Sequence, residues 1–411
     1  MTAIRVGIGF LVAFAVLSHG AVEVWSQSVL EIGAALLFLL WGFLAVRQRQ
    51  VEIHWNPLLA PLLGLVGFVL VQWFFGLSVY PYLTKVEFLK LAAYIVLVFL
   101  AVQSFRNSKQ MRPLIWFLVI FGFAVALFGI VQFLTFNDKL YWLRPLRYGG
   151  SPFGPYVNRN HFAGLMELII PLGLAILFYR AVRRDKLPLV GLFTIVPIGA
   201  LFLSASRAGI LSFCFQLGLL AYLVWARQSG RKQLPLATGV ILLAGAFVVW
   251  LGVGPTWDRF ARLWAQDFSQ ERRLMMLEDS WRIFLDHPGA GTGAGTLVTV
   301  YPQYASFDDG RVVDHAHNDY LELLAETGIV GGLCALGFVV LLFRRALMNL
   351  QSDQSAFILA ARTGALVACS GLLLHSLVDF NLHIPSNALL FALLACLATS
   401  SLERQPTTSP R

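Results

Sequence analysis

The stretch that decides the fold is His315-Ala316-His317-Asn318-Asp319-Tyr320-Leu321-Glu322-Leu323-Leu324-Ala325-Glu326-Thr327-Gly328, followed directly by the apolar residues 329–343. Asp319, Glu322 and Glu326 recur at i, i+3 and i+7, the spacing of one helical face, and His315 stands four residues before Asp319 on that face. Asn318 suits the N-cap of the helix that starts here. A titratable face thus enters a membrane helix from one end. Ionisable groups at a membrane edge are costly and read as functional by default.

Composition agrees with a membrane setting. The chain has 411 residues, 58% of them hydrophobic and 13% charged, and its mean hydropathy is +0.71; a soluble domain carries about 25% charged residues. Apolar runs long enough to span, about 17–25 residues each, lie at 4–18, 28–46, 57–75, 86–104, 113–136, 160–179, 188–204, 207–225, 235–253, 320–343, 357–379 and 385–400. They predict an all-α polytopic membrane protein of about twelve transmembrane helices. The run behind Arg5 reads as the first of these rather than a cleavable leader, because the small-residue cleavage site is poor. Cys214, Cys334, Cys369 and Cys396 lie singly in apolar runs, which implies neither a zinc nor a redox site.

The connectors orient the helices. Arg47 and Arg49; Arg106, Lys109 and Arg112; Arg180, Arg183, Arg184 and Lys186; Arg227, Arg231 and Lys232; and Arg344 and Arg345 occupy alternate loops, and Arg404 and Arg411 lie in the tail. They fall on one side if both termini are cytoplasmic. That excess accounts for the net charge of +9, and with no soluble basic domain, nucleic-acid binding is not expected. The chain divides into nine helices over 1–253, one large periplasmic loop over 254–318, and helices ten to twelve with a short cytoplasmic tail over 319–411.

Two outward segments break the charge rule. Residues 137–159 hold Lys139, Arg144, Arg147 and Arg159 against Asp138 alone; the large loop holds Arg259, Arg262, Arg272, Arg273, Arg282 and Arg311 among more numerous acids. Within the loop, Leu274, Leu277, Trp281, Phe284 and Leu285 fall at helical spacing, predicting an amphipathic helix over 270–286 that lies on the membrane or the bundle. His287-Pro288 ends it, and Gly289, Gly291, Gly293 and Gly295 follow as a tight turn. No Gly-Lys-Ser/Thr and no preceding strand support a phosphate loop.

Three groups carry candidate chemistry. A histidine at an outward membrane edge is a general base near neutral pH, or a hydrogen-bonding group at a helix entrance. As metal ligands, His315, His317 and the neighbouring acids match no common spacing, so no metal is expected. In Leu203-Ser204-Ala205-Ser206-Arg207-Ala208-Gly209 one helix ends and another begins with almost no loop, placing Arg207 at the outer edge. There it meets an anion or a partner, or snorkels to lipid phosphate. Arg272, Arg273 and Arg159 are of the type that binds phosphate bidentately, with surface ion pairs as the plainer alternative. Together these residues suit a lipid diphosphate whose tail lies in the bilayer. Arginines would stabilise the leaving diphosphate and a histidine would activate an attacking hydroxyl.

At this point the residues resemble the bacterial O-antigen ligase and O-antigen polymerase superfamily of membrane glycosyltransferases. The resemblance runs from about 150 to 345 and is carried by 315–328 with Ile329-Val330-Gly331-Gly332, by Phe153-Gly154-Pro155-Tyr156-Val157-Asn158-Arg159-Asn160, by Ser206-Arg207, and by Asp286-His287-Pro288 with its glycines. It implies a GT-C-like fold and transfer without metal, nucleotide or other cofactor. The donor would be an undecaprenyl-diphosphate-linked glycan, and the acceptor a glycan or lipid A-core. By motif position Arg207 and Arg273 (or adjacent Arg272), with Arg159, would hold the donor diphosphate. His317 would activate the acceptor, with His315 as the weaker candidate; Asn318, Asp319, Glu322 and Glu326 would orient it or pair with arginines. One departure stands out: Leu277 occupies a position where family members often have tryptophan. The implied place is the bacterial inner membrane, with the active face periplasmic. The rival expectation is a transporter or flippase of lipid-linked glycans, which predicts repeat symmetry that the sequence does not display.

Overall fold

The computed structural model describes residues 1–48, 52–146, 150–227, 270–308, 310–351 and 355–401. In chain order the long helices are α1 Thr2–Leu17, α2 Val24–Arg47, α3 Leu59–Phe74, α4 Pro81–Ser104, α5 Ser108–Leu134, α6 Arg159–Phe178, α7 Leu187–Leu203, α8 Arg207–Arg227, α9 Gln270–Asp286, α10 Asp319–Gln351, α11 Ala356–His375 and α12 Pro385–Thr399. Eleven of the twelve predicted runs coincide with one of these helices, α9 being the loop helix. The run at 235–253, and with it Arg49, Arg147, Arg231, Lys232, Arg259, Arg262, Arg404 and Arg411, lies outside the described residues. Among the described residues, eight helices are long and apolar enough to cross a membrane, while α1, α3 and α12 are apolar but shorter.

Burial sorts the helices into a centre and a rim. The most apolar window of α6 is 94% buried and that of α11 is 89% buried, against 11% for α2, whose apolar surface is left for lipid. The two central helices pack face to face through small residues. A Cβ on Gly364 of α11 would stand 2.8 Å from the Cα of Leu172 in α6. Pro113, the first residue of the predicted run 113–136, lies inside α5, because Asn107 caps that helix earlier by accepting the Gln110 N–H at 3.1 Å.

Residues 315–328 depart from the expected single helical face in two ways. Asn318 is the N-cap, accepting the Tyr320 and Leu321 N–H groups at 3.0 Å each, and His317 has φ +53°. His315 is therefore in the loop and not on the helical face, and it reaches that face only because the chain turns back. The face itself stops at Gly328, where φ 59° and ψ −159° break α10 into two segments.

The glycine turn after α9 is stitched to this break. The N–H groups of Thr292, Gly293 and Ile329 donate to the carbonyls of Ala325, Glu326 and Pro288 at 3.0, 2.9 and 2.9 Å. Gln72 in α3 donates to the carbonyls of Ala290 and Glu326 at 2.6 and 2.9 Å. Gly291 (φ +69°) and Gly328 leave no room for a side chain: a Cβ on either would overlap the other strand of the stitch, at Glu326 or Gly289. Gly291→Ala and Gly328→Ala should each destabilise the protein by about 1–3 kcal/mol or more. Gly42→Ala, with nothing within 4 Å of its Cβ, should be neutral or slightly stabilising. Thermal unfolding in detergent measures this, and equal melting of all three variants would contradict the packing described.

The extent of α9 agrees with expectation, and the face it docks is the one around Asp279. Met276, Asp279, Ser280 and Ile283 are buried, whereas Leu274, Trp281 and Leu285 are 59%, 46% and 55% exposed. Asp279 explains the choice. It accepts from the Tyr301 hydroxyl at 2.9 Å and from the Ser306 N–H and hydroxyl at 3.0 Å each, so the helix docks by a polar anchor. Its apolar stripe is left outward, as in a helix lying against lipid.

Candidate active site

Three chain segments meet at one end of the bundle: the first turns of α6, residues 315–322, and residues 375–383 between α11 and α12. The start of α10 is pinned to the end of α11. Asp319 N–H donates to the Ser376 carbonyl at 3.0 Å, Asn318 Nδ2 to the Leu377 carbonyl at 2.9 Å, and the Tyr320 hydroxyl to the Leu373 carbonyl at 2.6 Å.

Asp379 is the centre of the first cluster and is fully buried. Its carboxylate accepts from Asn160 Nδ2 at 2.7 Å and from the Phe380 N–H at 2.8 Å. Three imidazoles face it: His317 Nδ1 at 3.6 Å, His375 Nε2 at 3.9 Å and His161 Nε2 at 4.0 Å. Burial alone would raise this carboxyl, but His317, His161 and His375 outweigh it and hold Asp379 well below the usual carboxylate range. Behind it, His375 Nδ1 lies 2.7 Å from Glu167 Oε1, both side chains being fully buried.

The second cluster takes up the acids of the opening stretch. His383 Nδ1 is 2.8 Å from Asp319 Oδ1, and its Nε2 is 3.2 Å from Glu322 Oε1. His315 Nδ1 lies 2.7 Å from the same Glu322 oxygen. Burial would lower both imidazoles; Glu322 and Asp319 outweigh it and push His383 up to about 10, and Glu322 raises His315 likewise. Phe380 separates the clusters, stacking on His315 at 4.2 Å between ring centres and meeting His317 edge-on at 5.0 Å. Glu326 has a different task, accepting the Gly295 and Leu297 N–H groups at 2.8 and 2.9 Å. The carboxylate that faces His317 is thus Asp379 and not one of the three acids singled out from sequence.

The arginine-bearing elements come to the same end. Arg159 is buried beside Asn160 at the start of α6. Arg207 opens α8, and two residues on, a Cβ at Gly209 would stand 2.6 Å from Ala163 Cβ and 3.2 Å from Glu167 Oε1. The first turn of α8 therefore lies on α6 level with the buried pair. Arg272 and Arg273 are both half-buried on α9, one turn before Met276, which shares an apolar cluster with Ala316. Beside the second cluster is an apolar cavity of about 220 Å³ between α3, α4, α10 and α12, with Asp319, His383 and the Glu87–Lys90 ion pair (2.6 Å) at its polar wall.

His161, Glu167, His375, Asp379 and His383 were not picked out from sequence, and Asn160 was quoted only as part of a motif. A signal existed: Glu167 is a lone acid in an apolar run, and His375, Asp379 and His383 stand four residues apart across the end of another.

Residues 192–336 match the model of the family described as O-Antigen ligase. The chain is also 21% identical over 375 residues, covering 87% of this chain and 75% of the relative, to the teichuronic acid biosynthesis protein TuaE of Bacillus subtilis (strain 168). Both similarities support the O-antigen ligase and polymerase superfamily.

Proposed function

We propose, with the O-antigen ligase and polymerase superfamily as the premise, that this chain is an inner-membrane glycosyltransferase. It moves a glycan from undecaprenyl diphosphate to an acceptor hydroxyl on the periplasmic face, the acceptor being lipid A-core or another lipid-linked glycan. The observation that carries this reading is His317 facing the buried carboxylate of Asp379, at the end of the bundle to which α6, α8 and α9 bring Arg159, Arg207, Arg272 and Arg273.

With Nδ1 toward Asp379, His317 takes the proton of the acceptor hydroxyl on its Nε2. The freed oxygen attacks the anomeric carbon, and the bond from that carbon to the diphosphate breaks. The diphosphate leaves with the electron pair, and the arginines stabilise its growing charge. Asp379 stabilises the imidazolium formed on His317. The apolar cavity beside Asp319 and His383 suits a stretch of polyprenyl tail.

The test is reconstitution. Purified protein receives undecaprenyl-diphosphate oligosaccharide and candidate acceptors, with no added metal or nucleotide. Transfer is expected, and Arg207→Ala should reduce it by about 10²-fold or more. Unaltered transfer in that variant would sink its assignment, and donor movement across vesicles without transfer would favour the transporter.

A further inference from the structure

We propose that His315, Glu322 and His383 bind a divalent transition-metal ion such as zinc, which takes two imidazoles and a carboxylate. The inference stands apart from the transfer reading. The three ligand atoms lie within 4.8 Å of one another. Glu322 Oε1 is 2.7 Å from His315 Nδ1 and 3.2 Å from His383 Nε2. Tetrahedral zinc, with bonds of about 2.0–2.1 Å, sets neighbouring ligand atoms roughly 3.3 Å apart. Small side-chain rotations bring this set to that spacing.

The outer contacts are those that a metal site needs. Asp319 Oδ1 sits 2.8 Å from His383 Nδ1, which fixes the ring with Nε2 toward the centre. The other oxygen of Asp319 accepts the Leu382 N–H at 3.0 Å. Glu322 Oε2 accepts the Ala316 N–H at 2.8 Å, leaving Oε1 for the ion. The His315 ring is held by its stack on Phe380. Exposure is graded, from 2% for the Glu322 side chain to 19% for His383 and 26% for His315, so the set is approached from the histidine side.

Charge favours the ion as well. Two carboxylates, Asp319 and Glu322, against a divalent cation and two neutral imidazoles leave no net charge in a buried setting. Protons on the two imidazoles reach the same balance, and the experiment decides between these states. A bound ion would tie the loop at His315 to α10 and to the turn before α12. The pattern was invisible in sequence because the third ligand comes from position 383.

The experiment is a cobalt(II) titration of the full chain in detergent after chelator treatment, read by visible absorption and elemental analysis. About one ion per chain with a tetrahedral cobalt spectrum is expected, displaced by zinc. His383→Ala and His315→Ala should abolish the spectrum. Asp319→Asn, which keeps the ligands, should weaken affinity about 10- to 100-fold, and His54→Ala, between α2 and α3, should change nothing. Each variant is compared at equal elution and melting behaviour. A folded unmodified chain that takes up no cobalt, or a spectrum that survives loss of both histidines, would overturn the proposal.

Discussion

Glycan transfer by Asp379→Asn should fall by about 10²- to 10⁴-fold, with the apparent KM for the donor little changed. Asparagine keeps the shape of the side chain but cannot carry the negative charge that stabilises an imidazolium on His317. Its amide also presents a donor where the ring needs an acceptor, so the wrong tautomer of His317 is favoured. The carboxylate is well placed for this role: it is fully buried, anchored by Asn160 and the Phe380 N–H, and surrounded by three imidazoles. His317→Ala should fall to a similar level. Because the two groups act as one unit, the double variant should be no slower than the worse single variant. A cycle of the four proteins under saturating donor tests this, and losses that multiply would show that Asp379 and His317 act separately.

The largest effect on stability is expected at the pair behind Asp379. Glu167 and His375 are fully buried, 2.7 Å apart, in the two central helices. Removing one partner strands the other in a low-dielectric interior, at a cost of about 3–5 kcal/mol. Glu167→Leu and His375→Leu should therefore each melt far below the unmodified protein. Replacing both removes both polar groups, and much of the loss should be regained. Thermal unfolding of the four proteins in one detergent provides the comparison. A double variant less stable than either single one would mean that the pair contributes packing rather than matched charge. Since His375 also lies 3.9 Å from Asp379, the double variant should fold yet remain impaired in transfer.

Much of the architecture was legible in the chain because it is encoded locally. An apolar run of spanning length must close its own backbone hydrogen bonds in lipid, so it becomes a helix wherever it ends up. That is why eleven of the predicted runs recur as helices, why Asn318 caps α10, and why 270–286 is helical. The glycine turn was also readable, since several closely spaced glycines after His287-Pro288 end a helix and suit little else.

The site was only half legible, for a physical reason. His315 and His317 stand out beside their acids because short-range spacing is visible in one dimension. Their actual partners are chosen by which helix ends become neighbours. Asp379 reaches His317 and His383 reaches Glu322 across about sixty residues of chain, through the packing of α10 against α11 and α12. The polar anchor of α9 was hidden likewise, because Asp279 finds Tyr301 and Ser306 only once the loop has folded. Local spacing is enough to specify a helical membrane bundle with a titratable stretch at one end. Which carboxylate meets which imidazole is set by the packing of the helix ends, because burial makes an unmatched charge far costlier than any local preference can offset.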